Sequence, residues 1–98
     1  MDVYLKCSQC GCMDGGYSIV VSDLVVPIIG WAFDKNMAKA LHGMPPRNTL
    51  RMIQRGLNKL HERGDREQPD VQEAIETLER MREGFLRAKV GLSVCVME

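Results

Sequence analysis

Between Pro46 and Ala88 apolar residues recur at steps of three and four on both sides of one short polar connector, and no other feature restricts the fold as strongly. On the near side Leu50, Ile53, Leu57 and Leu60 form the stripe of an amphipathic helix. On the far side Val71, Ala74, Leu78, Met81, Phe85 and Ala88 alternate in the seam of a coiled-coil-like contact, which Ile75 widens. Pro46 and Pro69 suit first helical turns, and Gly64 supplies a stop. The spacing therefore predicts helices over about 46–63 and 69–88. The connector Glu62 to Gln68 is short enough to fold them back as an antiparallel hairpin.

A two-helix contact leaves apolar edges that something else must cover. The candidates are the run Leu24 to Phe33, a small sheet, or a second copy of the chain. The run carries Pro27 and Gly30 and reads as an apolar helix near 24–42 in two pieces, with Asp34 capping the second and Gly43 stopping it. Val3 to Cys7 and Tyr17 to Val21 are β-like and flank turn chemistry, which predicts an N-terminal hairpin. Val90, Leu92, Val94 and Val96 alternate with smaller residues, the period of a half-buried strand that returns beside that hairpin. The expected class is α+β, mainly α, and 98 residues suffice for a single domain over 1–98 with one modest core.

Charge is balanced at 13 basic and 13 acidic residues, so attachment to nucleic acid or to an anionic membrane needs a local patch. The longest apolar run, Leu24 to Phe33, is half the roughly 20 residues that a bilayer-spanning helix requires. No membrane partner is expected. The opening MDVYLKCSQC does not read as a secretory signal, which points to a reducing cytoplasm where cysteines are thiols or metal ligands.

One patch exists. Arg47, Arg51, Arg55, Lys59 and Arg63 recur every fourth residue along the first helix of the hairpin, opposite its apolar stripe, with no acid before Glu62. Like charges at that spacing repel, and cations near a helix N-terminus oppose its dipole by about 0.3–1 kcal/mol each. The second helix follows the dipole, with Asp70, Glu73, Glu76 and Glu79 leading and Arg80, Arg82, Arg87 and Lys89 trailing. A local rule broken without compensation marks a functional surface. The opposing reading makes the row a solvated face, or one satisfied by carboxylates of the neighbouring helix. If the helix begins only near Asn48, Arg47 falls outside the row.

Cys7, Cys10 and Cys12 form C-x-x-C-x-C, which locally resembles a zinc knuckle. The second C-x-x-C or paired histidines of a full zinc module are missing, so a tetrahedral zinc site would have to recruit Cys95, with Cys12, His42 or His61 as further candidates. His42 and His61 suit helix C-termini, Trp31 and Phe33 suit a core, and Gly56 inside a helix marks a close approach by another backbone. No phosphate-binding loop or nucleophile elbow is present, so no enzymatic activity is expected.

The function expected from these features is a small non-enzymatic regulatory or adaptor protein. It would self-associate as a homo-oligomer through the helical hairpin and bind an acidic protein or a phosphate-bearing ligand on the cationic face. The alternative is a zinc-knuckle nucleic-acid-binding module using Cys7, Cys10, Cys12 and Cys95.

Overall fold

The computed structural model describes residues 1–7 and 17–97. Strand β1 (Asp2–Cys7) pairs antiparallel on one side with β2 (Ser18–Val20) and on the other with β3 (Leu92–Met97). The helices α1 (Val26–Phe33), α2 (Met37–Leu41), α3 (Leu50–His61) and α4 (Pro69–Leu86) lie between β2 and β3 in the chain. The C-terminal strand thus returns beside the N-terminal hairpin, with Val3 opposite both Ile19 and Val96 and Leu5 opposite Val94. Val3, Leu5 and Val94 are buried, while Asp2 is exposed and Tyr4 and Lys6 are partly exposed, so the period-two alternation assigns the two faces of the sheet.

The outer edge of β3 is also occupied near its middle. Gly43 N–H donates to Val94 O at 2.8 Å and Val94 N–H donates to Met44 O at 2.9 Å. His42, the residue that closes α2, accepts from Val96 N–H through Nδ1 at 3.1 Å. The segment after α2 therefore closes backbone groups that an edge strand would leave open.

The two long helices obey their stripes. Ile53, Leu57, Leu60, Val71, Ala74, Leu78, Met81 and Phe85 share one core with Val25, Ile29 and Phe33 of the α1 region and with Val3, Leu5 and Val94 of the sheet. The stripes of the hairpin are thereby buried within one chain, while Leu86 of α4 stays 55% exposed. No helix among the described residues is long and apolar enough to cross a membrane.

The apolar stretch near 24–42 forms two helices as expected, and several boundaries differ from the sequence expectation for local reasons. The apolar helix near 24–42 breaks at Asp34, whose φ of 60° lets it close α1 while Lys35 N–H donates to Gly30 O at 3.1 Å. Asn36, not Asp34, caps α2, its Oδ1 accepting from Lys39 N–H at 3.2 Å. The segment after the double proline opens as a tight 3-10 turn, Pro46–Thr49, stabilised by Thr49 Oγ1–H donating to Pro46 O at 2.7 Å. Helix α3 proper begins at Leu50 and ends at His61, so Arg47 and Arg63 both lie outside it.

Candidate functional site

At about 100° per residue, Arg51 and Arg55 emerge from α3 on the side away from Ile53, Leu57 and Leu60. Both are exposed, as is Arg47 in the preceding turn. No ion pair joins any of these three to a carboxylate among the described residues. The acidic first half of α4 does not neutralise them. Where α3 and α4 do meet through polar side chains, Arg82 Nη1 donates to the neutral Gln54 Oε1 at 2.6 Å.

Lys59 and Arg63 behave differently. Lys59 Nζ donates to Trp31 O at 3.1 Å and to Asp34 Oδ1 at 2.9 Å, and lies 4.6 Å from the Trp31 ring centroid. It thus ties a carbonyl at the C-terminal end of α1 and the carboxylate that follows it. The Arg63 guanidinium carbon is also 4.6 Å from the Trp31 ring, and Nε and Nη2 both donate to Asp65 at 2.7 Å. That two-pronged bond holds the Asp65 carboxyl below its ordinary value and keeps Arg63 charged. Trp31, expected in the core, is 46% exposed and serves as the platform for both cations. The lower end of the cationic row is therefore engaged by contacts within the chain.

Arg51 and Arg55 border an open groove of about 590 Å³ between α3 and the turn that ends α1. Ala32 and Phe33 are buried and Met52 half-buried, so their apolar atoms make the floor. The exposed Lys35, Arg51 and Arg55, with Lys59, make a basic rim, and Asn48 and Asn58 add amides. The one carboxylate of the lining among the described residues, Asp34, is already held by Lys59. The arrangement suits an anion with an apolar portion.

Sequence periodicity found Arg51, Arg55 and Lys59 but missed Lys35, which reaches the groove only because the chain reverses at Asp34. A left-handed residue at an Asp followed by Lys gives no signal in the linear pattern. Gly56, whose position in the helix suggested a close approach, faces side chains at the end of α1. A Cβ there would meet the Phe33 ring at 3.1 Å and the Ala32 methyl at 3.4 Å, so the glycine lets the groove's floor seat against α3.

The four candidate zinc ligands are not assembled by the described residues. Cys10 and Cys12 lie outside them. Cys7 stands opposite Leu92 and Cys95 opposite Tyr4, three residue pairs apart and on alternate faces of the sheet. Cys95 is buried, and its Sγ lies 3.0 Å from Tyr4 Oη as donor in a thiol–phenol hydrogen bond. When the sulfur is ionised the phenol O–H donates to it instead, and that bond, with burial and the thiolate's charge, raises the Tyr4 pKa. No group of three or more His, Cys, Asp or Glu residues able to hold a metal occurs among the described residues.

A larger hollow of about 960 Å³ lies between β2 and the end of α4, lined by Tyr17, Arg80, Glu83 and Arg87 among others. Arg87 pairs with Glu83 at 3.7 Å, and the Tyr17 hydroxyl is buried without a hydrogen-bond partner among the described residues. Burial pushes the Tyr17 phenol up to about 12, against a smaller opposing effect from Arg80. Its oxygen is sealed from the hollow, so it presents no donor there. Comparisons with protein-family models, curated proteins and solved structures find no match for this chain.

Proposed function

We propose that the chain is a small non-enzymatic regulatory or adaptor protein that docks an anionic partner, an acidic protein segment or a phosphate-bearing ligand, in the groove between α1 and α3. The observation that carries this reading is that Arg51 and Arg55 stand unpaired on the rim, joined by Lys35, although α4 offers a row of carboxylates on the same hairpin. Unpaired guanidinium groups on one rim attract carboxylate or phosphate at little cost in competing contacts. Among the described residues the lining contains no serine, cysteine or histidine, which favours binding over covalent chemistry. With α1 and the sheet covering the hairpin, the reading rests on the groove and not on self-association.

The test is fluorescence anisotropy with a labelled hexaglutamate peptide, and competition by inorganic pyrophosphate, for the wild type and the double variant Arg51→Glu/Arg55→Glu. The expected result is salt-sensitive binding by the wild type, at least tenfold weaker in the variant, with melting temperature nearly unchanged. Equal binding by both proteins would contradict the reading. A collapse of the variant's melting temperature would show the row to be structural instead.

A further inference from the structure

The groove pairs two chemistries that a simple phosphate would not use together. Its rim is cationic, but its floor is the buried Ala32 and Phe33 with the half-buried Met52. A phosphate group placed over apolar atoms loses hydration without gaining donors, because charge buried against apolar surface is penalised unless hydrogen-bonded. A carboxylate-bearing polypeptide that also offers an apolar side chain uses both. Its apolar group covers the floor while its acids reach the rim.

Spacing points the same way. Arg51 and Arg55 are separated by four residues of α3, a rise of about 6 Å. Carboxylates four residues apart on a helix are separated by the same rise, and carboxylates two apart on an extended chain by about 6.6 Å. Either form of polypeptide presents acids in step with the two guanidinium groups. Lys35 supplies a cation from the opposite wall, and the amides of Asn48 and Asn58 are ten positions apart along the chain, placed for backbone groups of a long ligand. The groove's volume of about 590 Å³ falls within the roughly 300–1,000 Å³ of ordinary ligand sites, but it is an open trough through which a chain can pass.

Resting on the anion-docking reading above, we infer that the occupant is an acidic segment of a partner protein that carries a leucine- or phenylalanine-sized side chain between carboxylates spaced by about 6 Å. The apolar residue anchors on Phe33 and Met52, and the acids pair with Arg51, Arg55 and Lys35. Charge sets orientation and encounter rate, whereas the anchor sets residence time.

The experiment uses the full chain and three probes. The first is a 15-residue peptide with glutamates four apart and leucines between them, the second replaces the leucines by alanine, and the third is inorganic pyrophosphate. Affinities are measured by calorimetry, and ¹⁵N-amide shifts locate the contact. The inference expects the leucine peptide to bind at least tenfold tighter than the alanine peptide and to shift Phe33 and Met52. In Met52→Ala that advantage of the leucine peptide over the alanine peptide should shrink several-fold. Equal affinity of the two peptides, or pyrophosphate binding tighter than the leucine peptide, would overturn the inference and leave the anion reading standing. No binding by any probe would overturn both. Self-association that depends on Arg51 and Arg55 and blocks the peptide would make the acidic face of a second copy the occupant, and would also overturn the inference.

Discussion

Helices α3 and α4 pack against each other, yet they solve the same problems with opposite charge. In α4 Asp70 stands in the first turn, where an acid favours the helix, and other acids follow, but no base stands in its last turn. In α3 no acid occupies the first turn and Arg51 lies there. Each helix also carries one internal glycine where an aromatic ring presses in, Phe33 on Gly56 and Tyr17 on Gly84. The shape of the hairpin is thus set twice by the same device, whereas charge complements the dipole of α4 at its start and that of α3 only at its end, where Lys59 lies. The difference teaches that packing, not electrostatics, holds α3 in place. Its arginines are therefore free for a partner.

The sharpest way to break this comparison is at the glycines. A Cβ on Gly84 would overlap the Tyr17 ring carbons, whereas a Cβ on Gly56 would only crowd the edge of Phe33. Overpacking costs about 1–3 kcal/mol and alanine recovers about 1 kcal/mol of helix propensity. For Gly84→Ala we expect a net loss that lowers the melting temperature by roughly 5–10 °C, since about 1 kcal/mol corresponds to about 4–8 °C in a chain of this size. Gly56→Ala should sit within about 1 kcal/mol of the wild type. Thermal denaturation of both variants decides the point, and equal losses would mean that the two notches are not distinct.

Tyr17 gives an effect of similar order at alkaline pH. Its folded pKa is raised from 10.0 to about 12, so the neutral phenol is favoured in the folded chain. The contribution is fully present below pH 10 and is lost as pH rises toward about 12, amounting to at most ~3 kcal/mol. Denaturant titrations across that window should show the fall in the wild type and a smaller one in Tyr17→Phe. Because the hydroxyl is buried without a partner among the described residues, Tyr17→Phe should also be at least as stable as the wild type at pH 7.

A smaller effect separates the two ends of the cationic row. Lys59→Ala removes the tie to Asp34 and Trp31 O and one cation from the indole, for a loss of about 1 kcal/mol and a change in Trp31 fluorescence. Arg51→Glu should do the reverse, leaving fluorescence unchanged and raising stability only slightly, by about 0.3 kcal/mol, through the helix dipole at this exposed site. If both substitutions destabilise equally, the division of the row into structural and docking residues is wrong.

The amphipathic stripes of α3 and α4 and the alternation of β1 and β3 were legible in the sequence because each repeats a local period. So were the cations that line the groove from α3. What the linear pattern hides is long-range or conformational. Lys59 meets Asp34 across 25 positions and Cys95 meets Tyr4 across 91, and neither pair leaves a periodic trace. Gly84 reads as a weak point in a helix until Tyr17 is seen against it. Arg47 left the helical row because Pro46 opens a 3-10 turn, which shares with an α-helix the proline preference that marked the start. The cysteines near the N-terminus suggested one metal site, but the strand register sends Cys7 and Cys95 to different faces.

The most direct test of the central claim is an ¹⁵N-amide shift titration of the full chain with the leucine-bearing acidic peptide, repeated on Arg51→Glu/Arg55→Glu. We predict that shifts concentrate on residues 32–35 and 48–59 in the wild type and vanish in a variant that melts at nearly the same temperature. Shifts that persist in the variant, or that fall on α4 and the sheet instead, would contradict it.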